Sequence, residues 1–245
     1  MAWSTDRLLT TLSWWQQQCQ RRATLHTQVM AQLSSVLNIV GQRDHTQACA
    51  TFGPPKDPRL TLLAPAATDP GTGLLSSSTL QRLVVSQTRQ LDAALARITA
   101  LRAETGQLVG TMTQRLAGLQ REVAAELSRE QSAMTTPSSA AGARLPVTQH
   151  NLGTTVLPLT QLLATVSTLV EKYQQEHAAQ AELLSRLRLL AMSGTDDSLE
   201  SSAPGLSLEQ IRSRWSRQPL LDPALEASLA EWLKMLKKLK REAAQ

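Results

Sequence analysis

Along residues 78–134 apolar positions recur at alternating three- and four-residue steps, and no proline interrupts the run. Leu80, Val84, Leu91, Leu95, Ile98, Leu101, Leu108, Met112, Leu116, Leu119, Val123 and Leu127 fall on one drifting stripe, which predicts a single amphipathic helix. Ser76, Ser77 and Ser78 supply N-cap candidates at its start, and Ser78 with Gln81 has the spacing of a reciprocal capping box. With a rise of about 1.5 Å per residue, such a helix extends about 80 Å. A small globular core is shorter than that, so other long helices, from this chain or a partner, must cover the stripe. Gly106 and Gly110 are four apart on one face, where either another helix packs closely, the favoured expectation, or the rod bends.

The flanking segments follow the same rule. Leu8, Leu12, Trp15, Cys19, Arg22, His26, Val29, Leu33, Val36 and Val40 form a heptad-like seam, which predicts a first helix over 5–40 with Gly41 as its stop. Its polar members have ordinary roles: Arg22 snorkels its charge or sets register, and His26 is half-exposed. Repeated prolines between Phe52 and Gly71 predict an extended connection over 42–76. Residues 135–156 read as a flexible linker rich in Pro, Ser, Ala and Gly. A third helix is predicted over 158–192, with Pro158 in its first turn and a stripe of Leu159, Leu162, Val166, Leu169, Tyr173, Gln180, Leu183, Leu187 and Leu190. After an acidic, Ser-rich loop, Ser207 and Gln210 open a short helix over 207–217 carrying Leu208, Ile211 and Trp215. Asp222-Pro223 then starts a last helix over 223–243, striped by Leu225, Leu229, Trp232, Leu236 and Leu239. The expected fold is all-α: an elongated antiparallel bundle of coiled-coil-like long helices with a small helical C-terminal portion. Its expected divisions are a long-helix part at 1–134, a linker at 135–156 and a C-terminal part at 157–245.

Composition agrees with helices. Aromatic residues are only 3% of the chain, too few for the core of a sandwich or barrel. The formal net charge is +5, and much of the positive charge lies near the C-terminus. Lys234, Lys237, Lys238 and Arg241 share one face of the last helix, and Lys240 adds to them. Such a face either complements the helix dipole and keeps the surface soluble, or meets an acidic partner or RNA phosphate. Cys19 and Cys49 lack disulfide-framework or metal-site spacing, which points to a reducing compartment. No apolar run reaches the roughly 18–20 residues of a membrane span. The start of the chain holds Asp6 as its only acid before Asp44, a composition shared with mitochondrial presequences. The apolar pattern, however, continues to Val40, farther than a presequence would.

Catalytic patterns are missing. The sequence contains no GxxxxGK[ST], HExxH, CxxC or GxSxG, and His26, His45, His150 and His177 are scattered. No catalytic, cofactor-binding or metal residue is assigned, and a non-catalytic protein is expected. The aromatic residues are better candidates for partner contact: Trp3, Trp14, Tyr173, Trp215 and Trp232. Trp14 and Trp15 are about 100° apart around the first helix, so a narrow seam buries one and leaves the other on a flank. Trp15 lies on the seam and, with Trp232, suits core anchoring, whereas Trp3 and Trp14 suit a partner surface.

The run Val170-Glu171-Lys172-Tyr173, followed by Leu183-Leu184-Ser185 and Leu187, resembles the corresponding helix of the AIRIM family of ribosome maturation factors. The likeness continues through a short helix ending at Trp215 and a last helix carrying Leu229–Leu233. It covers the C-terminal third of the chain. The longer linker, the acidic insertion at 193–205 and the basic C-terminal extension depart from the family pattern. The resemblance implies a non-catalytic helical adaptor in a complex with a AAA-type ATPase, acting in cytoplasmic maturation of the large ribosomal subunit. It also implies possible contact with pre-ribosomal particles and a nuclear link to replisome turnover. Two alternatives come from the residues alone: a structural coiled-coil subunit of a cytoskeletal, centrosomal or kinetochore assembly, and a basic helical nucleic-acid-binding protein. The expected location is cytoplasm and nucleus, with mitochondria the alternative.

Overall fold

The computed structural model describes residues 5–52, 77–135, 149–152, 155–193 and 206–242. The fold is all-α. Its helices are α1 (Thr5–Phe52), α2 (Ser77–Thr135), α3 (Leu159–Ser193), α4 (Leu208–Arg217) and α5 (Pro223–Glu242). A two-stranded antiparallel hairpin, β1 (Gln149–Leu152) and β2 (Thr155–Pro158), precedes α3, and β1 lies next to α5.

The chain forms two compact units, and α1, α2 and α3 each contribute a segment to both. The first comprises Met1–His26, Ala103–Ala179 and Gln218–Gln245. Within it, Arg7 pairs with Glu122 at 2.8 Å and Arg21 with Glu104 at 2.7 Å, so α2 runs antiparallel to α1. Gln174 donates to Thr113 at 2.9 Å and His177 lies against Gly106, which makes α3 antiparallel to α2. Glu226 meets Arg22 while Lys240 meets Asp6, so α5 returns antiparallel to α1. Four segments thus alternate in direction, and their inward positions are apolar: Leu8, Leu12 and Trp15 on α1, Met112 on α2, Val166 on α3 and Leu236 on α5 are buried.

The second unit comprises Thr27–Arg102 and Gln180–Arg217. Its core joins Val29, Leu33, Val36 and Val40 of α1 to Leu91, Leu95 and Ile98 of α2. Leu183, Leu184, Leu187 and Ala191 of α3 and Ile211 and Trp215 of α4 complete it. The short helix α4 is apolar on only one face, and its start is fixed by a reciprocal cap. Gln210 donates its backbone N–H to Ser207 Oγ at 3.2 Å, and Ser207 N–H donates to Gln210 Oε1 at 2.8 Å. The Asp222 cap on α5 is formed too, with Ala224 N–H donating to Asp222 Oδ1 at 2.9 Å.

Several sequence expectations are corrected. Gly41 does not stop α1, which continues to Phe52. The cost of an exposed helical glycine, about 1 kcal/mol, is outweighed by the next turns, where Arg43 and Thr46 are buried and Gln87 of α2 donates to Thr46 Oγ1 at 3.3 Å. Residues 42–52 of the expected extended connection are therefore helical, and residues 53–76 lie outside the described ones. In α1 the seam passes through Leu25, which is buried, while His26 is half-buried as expected. In α5 it passes through Leu233, leaving Trp232 half-buried. An α-helix has 3.6 residues per turn, so a strict three-four alternation drifts off the buried face by one position. Ser78 lies inside α2, which begins at Ser77. Part of the expected linker is the hairpin, and Pro158 ends β2 instead of opening α3. Its signal was present: Gly153-Thr154 separates the two strands, and a two-residue, Gly-first spacing marks hairpins. The division expected at 135–156 is also replaced, because α3 packs with α1 and α2 in both units instead of forming a separate part. Gly106 does mark a close approach, since a Cβ there would sit 3.1 Å from the His177 ring, whereas Gly110 faces open space.

Gly41 is helical, and a Cβ there would meet nothing within 4 Å. Gly41→Ala is expected to raise unfolding stability by about 0.5–1 kcal/mol in urea titration, since only the entropy cost of glycine is removed. A loss of stability would mean that this position is a helix stop after all.

Candidate functional site

Beyond α4 the backbone turns at Gln218, a non-glycine residue with φ of 43°, and Leu221 N–H closes the turn onto Gln218 C=O at 3.0 Å. This left-handed position, followed by Pro219, stops helix propagation and directs the chain toward Asp222 and α5. The Gln218 side chain is held as well: its Oε1 accepts from both terminal nitrogens of Arg22 at 3.3 Å.

Arg22 is the centre of a polar corner inside the first unit. It is 9% exposed and lies 3.5 Å from the Glu226 carboxylate, with its guanidinium carbon 4.6 Å from the Tyr173 ring centroid. Tyr173 Oη donates to the same Glu226 oxygen at 2.6 Å. The corner thereby ties α1, α3, the turn and α5 together. Burial, reinforced by the neighbouring Cys19, pushes the Tyr173 phenol well above its ordinary range. Burial also pushes the Cys19 thiol up, which keeps it in the unreactive protonated form. His26 moves the other way: burial and then the Arg22 charge lower its pKa. These shifts hold groups neutral around one compensated cation, an arrangement suited to clamping helices.

The surface beside this corner is different in character. Along α5, Lys234, Lys237, Lys238 and Arg241 are exposed and border one groove of about 830 Å³. Gln16 of α1 supplies part of the opposite wall, and Ala230 and Met235 add half-buried apolar surface. Lys238 makes a 3.7 Å pair with Glu242, whereas Lys240 points elsewhere and meets Asp6 at 2.8 Å.

Of the aromatic candidates, Trp3 lies outside the described residues. Trp14 is half-buried and stacks edge-on against Trp15, with ring centroids 4.9 Å apart. Tyr173 and Trp215 are 2% and 1% exposed, so the expectation that they touch a partner is corrected: both are interior. Trp232 keeps some exposed surface. The four-residue basic face was readable from helical spacing. Glu226 and Gln218 were not, because nothing local pairs them with a residue about 200 positions earlier; the one signal was a cation, Arg22, on a mostly apolar seam. Among the described residues, no cluster of His, Cys, Asp and Glu is arranged to hold a metal ion, and no helix is long and apolar enough to cross a membrane. No family model, curated protein or solved structure matches this chain.

Removing the Glu226 carboxylate takes the acceptor from the Tyr173 hydroxyl and the counter-charge from buried Arg22, which keeps Gln218. Glu226→Ala is expected to cost about 1–3 kcal/mol in urea unfolding, more than Tyr173→Phe, which keeps the Arg22–Glu226 pair. Equal losses would show that the carboxylate matters only through the phenol. The lowered His26 pKa sets a pH trend, because the unfolded chain takes up this proton at higher pH than the folded one. Stability therefore falls as pH drops through and below the ordinary imidazole value of 6.5, and His26→Gln is expected to flatten that slope. An unchanged slope would remove His26 from the account.

Proposed function

We propose that this protein is a non-catalytic adaptor subunit that presents helical surfaces to a AAA-type ATPase, in a complex resembling those that mature the large ribosomal subunit. The observation that carries this reading is the use α3 makes of the residues by which it resembles AIRIM-type factors. In the first unit Tyr173 holds α5 through Glu226. In the second, Leu183, Leu184 and Leu187 pack with Trp215 of α4. These are framework positions, so the likeness supports a common way of docking short C-terminal helices on a long one. Partner surfaces lie elsewhere. Leu189 and Met192, one turn apart on α3, are 71% and 56% exposed and offer apolar side chains on the surface. The family's cytoplasmic and nuclear location, and contact with pre-ribosomal particles, belong to the same proposal.

A structural coiled-coil subunit is the second reading, favoured by the 59-residue length of α2. Affinity purification of the tagged chain at physiological salt, followed by mass spectrometry, separates the two. Co-purification of a AAA-type ATPase with large-subunit maturation factors is the expected outcome. Recovery of only cytoskeletal or centrosomal subunits would overturn the adaptor reading.

A further inference from the structure

The cationic face of α5 needs an explanation beyond the helix dipole. Dipole stabilisation fades within the last turn, yet Lys234 and Lys237 lie well before the end of α5 at Glu242. Lys234, Lys237 and Arg241 form no ion pair among the described residues, which therefore leave their charge uncompensated. Solubility alone requires no groove, but these side chains border one.

The order of charges along that groove constrains its occupant. One row of α5 runs Ala230, Lys234, Lys237, Arg241; the row beside it runs Glu231, Met235, Lys238, Glu242. The cations are thus spaced at three- and four-residue steps over two turns, about 10 Å of axis. Glu231 and Glu242 close the two ends with negative charge. A nucleic-acid strand carries unbroken negative charge and would be repelled at both ends; it would also find no aromatic platform among the lining residues. An acidic helix suits the same pattern. Its carboxylates at matching helical spacing would face the cations, and its apolar stripe would cover Ala230 and Met235.

We infer that the α5 groove is a docking site for an acidic amphipathic helix of a partner protein. This rests on the adaptor reading and names the chemistry of one of its partners. Lys240, engaged with Asp6 away from the groove, is outside the site and serves as an internal control.

The test uses the full chain and a fluorescein-labelled helical peptide with Glu at three- and four-residue steps and Leu on the adjoining face. A charge-inverted Lys version and an oligouridylate of similar length are the comparison probes. Anisotropy titrations are expected to show binding of the acidic peptide that weakens as salt is raised. The triple change Lys234→Glu, Lys237→Glu and Arg241→Glu is expected to reduce affinity by about tenfold or more and to transfer preference to the Lys peptide. Lys240→Glu is expected to change affinity less than about twofold. All these positions are exposed, and circular dichroism checks that each variant stays helical. Failure of the acidic peptide to bind, tighter binding of oligouridylate, or indifference to the triple change would overturn the inference. The triple variant is also carried through the affinity purification. If the peptide fails while the ATPase is still recovered, the groove assignment falls and the adaptor reading stands. If the unaltered chain recovers no ATPase although the peptide binds, the adaptor reading falls and the groove remains an acidic-helix site.

Discussion

A helix of 59 residues with an apolar stripe along its length cannot stay alone in water, and this constraint governs the rest of the structure. Each fully buried Leu, Ile or Val side chain contributes about 1.5–3 kcal/mol, so an uncovered stripe would forfeit far more than a domain's net stability. The chain covers it from within. In the first unit α1, α3 and α5 alternate in direction around α2. In the second, α1, α3 and α4 share one core with it. The short helices serve as the fourth wall of each unit, which is why their caps and the turn at Gln218 matter.

The price of that arrangement is a buried cation. Arg22 stands where a leucine would pack well, and burying its charge is tolerable only because Glu226, Gln218 and the Tyr173 ring meet it. A hydrophobic replacement would leave Gln218 and Glu226 without that donor, so the corner trades packing for a fixed geometry of α5. It also places the basic face of α5 beside Gln16, and the surface chemistry thereby depends on an interior contact.

Helical periodicity made much of this legible. The stripe of α2 was readable almost residue by residue, as were the stripe of α3 and the caps at Ser207 and Asp222. Legibility ended where the deciding interaction was distant. Gly41 resembles a stop until Thr46 is seen against Gln87. Trp232 resembles a core anchor until the helix phase gives that place to Leu233. Tyr173 and Trp215 stood out as aromatic residues suited to an interface, but conspicuous rings can equally fill a core, and spacing alone does not say which. The basic face was visible, yet the carboxylates at its ends acquired meaning only once the groove was in view.

If the stripes are covered within one chain, the protein needs no second copy to fold. Sedimentation equilibrium across a wide concentration range, paired with circular dichroism, tests this directly. The expected result is a helical monomer of 26.7 kDa at every concentration. An obligate dimer that loses its helicity as it dissociates would contradict it, because the long stripes would then be covered between chains.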